Sequence, residues 1–105
     1  MMLNTTLQNI KSTVLAFLPD AQVMLFGSRA RGDESEGSDY DVLVITKSSL
    51  SPREKITWCS KIDQALVKSI HAPVDVLINS EEEITIKKNI RGHIIRWALK
   101  DGIML

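Results

Sequence analysis

The fold and the chemistry of this chain are decided by residues 27–41, GSRARGDESEGSDYD, which lie between two apolar runs. The first run, QVMLF (residues 22–26), stops at Gly27 and predicts a short buried strand. The second run belongs to DYDVLVIT (residues 39–46), in which every side chain from Val42 to Ile45 is apolar, so we expect a strand that is covered on both faces. The stretch between the two strands is small and charged, and it predicts a loop with room for one helical turn.

Carboxylates mark the start of the second strand and of a third. Asp39 and Asp41 are two residues apart, and side chains at that spacing on a strand point to the same face. Asp75 lies near the start of the third predicted strand, VDVLI (residues 74–78). The helix expected between these strands suits a right-handed crossover between parallel neighbours, which would place Asp75 beside the other two. The first strand must then run antiparallel to the second to bring Gly27 to the same edge.

This predicted cluster fits the chemistry of metal ions and phosphates. Two carboxylates at the spacing of Asp39 and Asp41 can hold a pair of divalent cations about 4 Å apart. Glycine at a strand end lets backbone N–H groups approach a phosphate, and Ser28 adds a hydroxyl. Arg31, in preference to Arg29, can hold phosphate oxygens through its planar guanidinium. Each signal alone also fits a solvated turn, and the loop is not a Walker A motif, so their combination is what points to a site.

Two helix starts and two helix ends are clear before the third strand. Asn4 or Thr5 can cap a first helix, which Pro19 ends. The segment SPRE (residues 51–54) combines a serine cap, a proline at the first helical position and a capping box. It predicts a long helix that ends before Pro73.

The end of the chain predicts one more helix. Ser80 with Glu83 forms a capping box and opens a helix toward residue 100, which Gly92 can interrupt. Residues 101–102 are typical of a helix end, and residues 103–105 can form a terminal strand. The predicted fold class is therefore α/β (α+β), with a small mixed sheet packed against helices in the order α-β-α-β-α-β-α. We expect a single domain over residues 1–105.

Composition restricts the class of protein. The chain has 105 residues, with 13 basic residues against 13 acidic ones, so its net charge is zero. This balance argues against strong binding to nucleic acid or to an anionic membrane by bulk charge. One cysteine rules out an internal disulfide and fits a reducing compartment. No apolar run approaches the ~20 residues of a membrane span, and the N-terminus lacks the basic region of a secretory signal. We therefore expect a soluble, cytoplasmic protein with no membrane partner.

The other candidate residues carry weaker signals. Cys59 lies on the apolar stripe of the long helix and is expected to pack in the core, while Trp58 and Trp97 suit either helix packing or a partner interface. His71 is expected at a helix end and His93 on the surface. These two histidines and one cysteine do not predict a zinc site.

The combined pattern, G-S-x10-D-x-D with a third aspartate on the next strand, resembles the nucleotidyltransferase superfamily of DNA polymerase beta. It is most similar to the minimal nucleotidyltransferases, small proteins usually paired with a HEPN-domain protein. The motifs cover residues 22–79, and the resemblance implies the nucleotidyltransferase fold. It also implies that Gly27, Ser28 and Arg31 hold the triphosphate of a nucleotide.

The resemblance implies a metal site and a reaction as well. Asp39 and Asp41 would bind two magnesium ions, and Asp75 would hold the ion that activates the attacking hydroxyl. The chain would transfer a nucleoside monophosphate, AMP from ATP, to a protein hydroxyl, and it would act as the antitoxin of a HEPN-domain toxin. Two alternatives stay open: an antitoxin that neutralises its partner by binding alone, and one half of a two-protein antibiotic nucleotidyltransferase. A homo- or hetero-oligomer is compatible with all three.

Overall fold

The computed structural model describes residues 5–32 and 37–105 and places four strands and five helices in them. The helices are α1 (Thr5–Phe17), α2 (Ser28–Arg31), α3 (Pro52–Ile70), α4 (Glu81–Lys87) and α5 (Ile94–Asp101). The strands are β1 (Gln22–Phe26), β2 (Tyr40–Thr46), β3 (Val74–Ser80) and β4 (Ile103–Met104). The candidate cap Asn4 lies outside the described residues.

The strands form one mixed sheet in the order β3-β2-β1-β4. β1 pairs antiparallel with β2, and Phe26 lies opposite Asp41. β2 pairs parallel with β3, and Asp41 lies opposite Asp75. Both predicted pairings are confirmed, and β4 adds an antiparallel edge to β1, as the apolar end of the chain allowed. The end of β1 and the starts of β2 and β3 therefore meet at one edge of the sheet.

Both faces of the sheet are covered, as the apolar run in β2 predicts. Val42 and Val44 point to a core shared with α1 and α3, whereas Leu43 and Ile45 point to a second core shared with α5. Because side chains alternate along a strand, Asp41 lies on the same face as Leu43. The first core contains Ile10, Val14, Val23, Val42, Val44, Ile62, Leu66 and Ile78. The second contains Met24, Phe26, Leu43, Ile45, Ile95 and Ala98.

Both predicted capping boxes are confirmed. At the start of α3, the Ser51 hydroxyl accepts the Glu54 N–H at 3.1 Å, and the Ser51 N–H donates to the Glu54 carboxylate at 3.0 Å. Ser80 and Glu83 exchange the same two bonds at the start of α4, at 3.1 and 2.9 Å. Each box satisfies two backbone donors that have no partner inside the helix, which fixes where the helix begins.

The last helix expected toward residue 100 is interrupted, as Gly92 allows, so that the chain forms two helices, α4 and α5. The chain leaves α4 after Lys87, and Gly92 takes a left-handed conformation with φ of 79° before α5 begins. His93, expected merely to lie on the surface, caps α5, since its Nδ1 accepts the Ile95 N–H at 3.1 Å. The observed order is therefore α-β-α-β-α-β-α-α-β.

The second strand starts one residue later than predicted, at Tyr40, so Asp39 lies just before it. None of the helices within residues 5–32 and 37–105 is long and apolar enough to cross a membrane.

Candidate active site

The site is built on the turn that follows β1. Gly27 has φ of 75° and ψ of −158°, a backbone conformation that is essentially restricted to glycine. The amides of Ala30 and Arg31 donate to the Gly27 carbonyl at 3.1 Å each, which forms the single turn of α2. Gly32, left-handed with φ of 80°, ends that turn. The predicted helical turn is present at residues 28–31, and residues 33–36 of the predicted loop lie outside the described residues.

The carboxylate of Asp41 lies directly over this turn. A Cβ atom built on Gly27 would sit 2.1 Å from Asp41 Oδ2 and 3.0 Å from its Cγ. The missing side chain at position 27 is therefore the space that the carboxylate occupies. Glycine is required here both for the positive φ and for this close approach.

Asp41 and Asp75 are direct neighbours on parallel strands, which lie about 4.8 Å apart. Asp39 is exposed and precedes β2 by one residue, and Asp75 is exposed while Asp41 is half-buried. Burial raises the pKa of Asp41, and the charges of Asp75 and Asp39 raise it further, against the opposing effect of Arg31. The three carboxylates thus interact electrostatically and create a local excess of negative charge.

This negative charge makes the sheet edge suitable for a hard cation. Within residues 5–32 and 37–105, no three His, Cys, Asp or Glu side chains converge into a ready-made ligand set. Like-charged carboxylates repel each other, so they favour separation until a cation neutralises them. Mg²⁺ suits such an open arrangement, because it is commonly held by one or two carboxylates together with water and substrate phosphates. The carboxylate oxygens of Asp39, Asp41 and Asp75 fit that chemistry.

Arg29 holds the loop against the start of β2. Its Nε and Nη2 atoms donate to the Ser38 carbonyl at 3.2 and 2.9 Å, and its guanidinium lies 4.3 Å from the centre of the Tyr40 ring. These contacts fix the backbone on both sides of Asp39. The sequence did not reveal this role, because it depends on how the loop folds back over the strand.

Arg31 is exposed on α2 and faces two acidic groups. It lowers the pKa of Asp41, so its charge acts within the carboxylate cluster. Its Nη1 also lies 3.5 Å from Oδ2 of Asp101, at the end of α5. Asp101 ends α5, as expected, and its ion pair with Arg31 also links this helix to the turn. Of the two arginines, Arg31 is the one whose charge acts on Asp41, whereas Arg29 holds the loop through Ser38 and Tyr40.

The remaining candidates are the cysteine, the two tryptophans and His71. Cys59 packs against the first core, as expected, and burial raises the pKa of its thiol. Trp58 packs edge-on against Phe17, with ring centres 6.2 Å apart. Trp97, in contrast, is 56% exposed, so it does not serve helix packing as Trp58 does. His71 ends α3 in a left-handed conformation.

Comparison with known proteins adds the family. The family model described as "Polymerase beta, Nucleotidyltransferase" matches residues 8–96. A structure assigned to a minimal nucleotidyltransferase superposes with a TM-score of 0.66 at 21% identity, covering 100% of this chain and 97% of the other. No match was found among curated proteins.

Two further solved structures share the fold. A chain of a toxin–antitoxin crystallised with AMP-PNP has a TM-score of 0.64 at 18% identity, covering 92% of this chain and 70% of its own. A chain from the complex of the tri-AMPylated Shewanella oneidensis HEPN toxin with its MNT antitoxin has a TM-score of 0.54 at 15% identity, with 95% and 71% covered. Given the match of the family model to most of the sequence, the chain belongs to the polymerase beta nucleotidyltransferase family.

Proposed function

We propose that this chain is a magnesium-dependent nucleotidyltransferase that transfers AMP from ATP to a hydroxyl group of a partner protein. The observation that carries the proposal is the placement of the Asp41 carboxylate over Gly27, with Asp75 opposite it on the next strand. This placement brings cation ligands within reach of a turn that suits a phosphate chain. Membership of the nucleotidyltransferase family supports the same reaction class.

Each predicted site residue has a role in this proposal. Gly27 and Ser28 bind the triphosphate, and Arg31 neutralises its developing negative charge. Asp39 and Asp41 would hold two magnesium ions together with phosphate oxygens, and Asp75 would hold the ion nearest the acceptor. When bound, these ions lower the pKa of the acceptor hydroxyl and neutralise the departing pyrophosphate.

The residues of the site orient an in-line displacement at the α-phosphorus. The acceptor oxygen forms a bond to that phosphorus as the bond to the pyrophosphate breaks, and the hydroxyl proton passes to solvent. We infer that Arg31, whose charge acts on Asp41, stabilises charge on the leaving group. The products are the adenylylated acceptor and pyrophosphate.

The proposed acceptor is a HEPN-domain toxin, for which this chain would be the antitoxin. This proposal is supported by likeness to chains from toxin–antitoxin structures, one crystallised with AMP-PNP and one with a tri-AMPylated HEPN toxin. The identity to those chains is low, so the likeness itself shows only the fold. A protein acceptor also suits a site that opens at a sheet edge and is exposed at Asp39 and Asp75.

Transfer of label tests the proposal. The purified chain is mixed with a purified HEPN-domain toxin, Mg²⁺ and ATP labelled at the α-phosphate. We expect label on the partner protein, its loss with Asp41→Asn, and full transfer with the matched control Asp20→Asn, an exposed aspartate outside the site. Wild-type chain that transfers no label would contradict the proposed reaction.

Two further measurements separate the two alternatives from the proposed function. If Asp41→Asn still neutralises the toxin in cells, the antitoxin acts by binding. If an aminoglycoside takes up label in the absence of any partner protein, the chain belongs to an antibiotic-modifying enzyme instead.

A further inference from the structure

Four large apolar side chains are exposed along α4, α5 and the turn between them. Ile86, Ile90, Ile94 and Trp97 are 60%, 47%, 50% and 56% exposed. We call these four residues, together with Arg91, Arg96 and Lys100, the α4–α5 patch. Scattered exposed apolar residues are ordinary, but four of them within residues 86–97 concentrate exposed apolar side chains in one short segment, as interaction sites do.

Between the three glutamates that begin α4 and Asp101, which ends α5, this segment is basic in a chain of zero net charge. Residues 84–100 contain five lysines and arginines and no acidic residue. Three of these cations, Arg91, Arg96 and Lys100, line a cavity of about 500 Å³ together with Trp97. The Lys100 amine lies 5.4 Å from the centre of the Trp97 ring. A complementary ligand must therefore carry negative charge as well as apolar surface.

The patch lies on the helix that covers the site-bearing face of the sheet. α5 packs through Ile95 and Ala98 on the core that includes Leu43, on the same face as Asp41. Its last residue, Asp101, pairs with Arg31 in the turn after β1. Trp97 is four residues before Asp101, about 6 Å along the helix axis. A molecule bound to the patch would therefore lie beside the phosphate turn.

We propose that the α4–α5 patch is the docking surface for the protein acceptor, which binds it through an acidic surface that also carries apolar side chains. This inference rests on the proposed function, because it assigns the surface that presents the acceptor hydroxyl to the site. Tryptophan and arginine are enriched at the centres of protein–protein interfaces, where they supply most of the binding energy.

The composition of the patch favours a protein over other anionic ligands. Nucleic acid strands gain from cations and aromatic rings, but three exposed isoleucines add nothing to phosphate contacts and little to base stacking. A membrane surface would need a continuous amphipathic helix, whereas here helices of seven and eight residues are separated by the left-handed Gly92. An acidic protein surface uses both the charges and the isoleucines.

Charge reversal in the patch tests the proposal. Two variants are made: a charge-reversed double variant that carries Arg96→Glu and Lys100→Glu, and a single variant that carries Trp97→Ala. The matched control is Arg53→Glu with Lys68→Glu, two exposed cations on α3, which covers the opposite face of the sheet. Isothermal titration gives the Kd for the HEPN-domain protein and for ATP with Mg²⁺, and label transfer gives KM and kcat. Circular dichroism and Tm check that each variant is folded.

We expect both patch variants to raise the Kd and KM for the partner at least tenfold and to leave the Kd for ATP within twofold of wild type. The control should stay within twofold on every measurement. Unchanged partner affinity in the patch variants would overturn the proposal, as would an equal loss of ATP affinity, which would assign the patch to the nucleotide.

The failures of the two proposals are distinguishable. A wild-type chain that binds the partner through the patch but transfers no label contradicts the proposed reaction and supports the docking surface. Undiminished label transfer by the charge-reversed variant contradicts the docking surface alone. Binding of a single-stranded oligonucleotide or of phosphatidylserine vesicles through Arg96 and Lys100, without binding of the partner protein, would also overturn it.

Discussion

Replacing Gly27 with alanine tests the close approach on which the site depends. The new Cβ would lie 2.1 Å from Asp41 Oδ2, so the carboxylate must move by at least about 1.3 Å to reach an ordinary contact of 3.4 Å. Alanine would also have to adopt φ of 75° and ψ of −158°, a conformation that costs about 1–3 kcal/mol outside glycine. Gly27→Ala should therefore strain the backbone and displace the carboxylate together.

A matched control separates the cost of backbone strain from the cost of displacing the Asp41 carboxylate. Gly32 also has a positive φ, of 80°, but a Cβ there would meet nothing within 4 Å. Gly32→Ala should cost about 1–2 kcal/mol from backbone strain alone. We expect Gly27→Ala to cost about 3–4 kcal/mol, which lowers Tm by about 10–25 °C in a domain of this size. A native stability of about 5–15 kcal/mol leaves the variant folded.

A double-mutant cycle isolates the contact with Asp41. Urea unfolding gives the free energy of unfolding of wild type, Gly27→Ala, Asp41→Ala and the double variant. Because Asp41→Ala removes the atoms that clash, the double variant should be more stable than the sum of the single effects by about 1–2 kcal/mol. Additivity within about 0.5 kcal/mol would refute the close approach of Asp41 to Gly27.

Three further predictions concern charge and ligand. Asp41→Asn should stabilise the metal-free protein by about 0.2–1 kcal/mol at pH 7. Because the pKa of Asp41 is raised, mainly by burial, this gain in the free energy of unfolding should vanish near pH 3. Urea unfolding at both pH values measures the difference. Glu83→Gln keeps the capping box but loses the ion pair with Lys55. Burial raises the pKa of Glu83, but hydrogen bonds from Lys55 and Ser80 outweigh burial and lower it. The variant should therefore lose about 0.5–1 kcal/mol above pH 5 and nothing below the folded-state pKa, and an equal loss at both extremes would contradict this. Mg²⁺ with AMP-PNP at a hundred times Kd should stabilise the wild type by about 2.7 kcal/mol, and EDTA or Asp41→Asn should abolish that gain.

The sequence predicted the ends of helices and strands best where a signal within a few residues determines them. The apolar run before Gly27 fixed the end of β1, and the SPRE segment fixed the start of α3, because each signal acts within a few residues. The third aspartate could be placed beside the second because a helical crossover leaves little choice of topology.

What could not be predicted depends on contacts between distant segments. Gly92 indicated that the last helix could be interrupted, but the histidine cap that begins α5 is not specified by helical periodicity. The pairing of Arg31 with Asp101 joins residues seventy positions apart, and only the folded chain brings them together. The roles of the site residues likewise remain predictions that rest on their placement.

The central claim is that Asp39, Asp41 and Asp75 hold divalent cations against a triphosphate that lies on the turn at Gly27 and Ser28. Anomalous diffraction from crystals grown with Mn²⁺ and AMP-PNP tests it most directly. We expect manganese peaks within about 2.5 Å of these carboxylates and the triphosphate against the turn. Manganese bound elsewhere, or a triphosphate that lies in the cavity beside Trp97, would contradict the account.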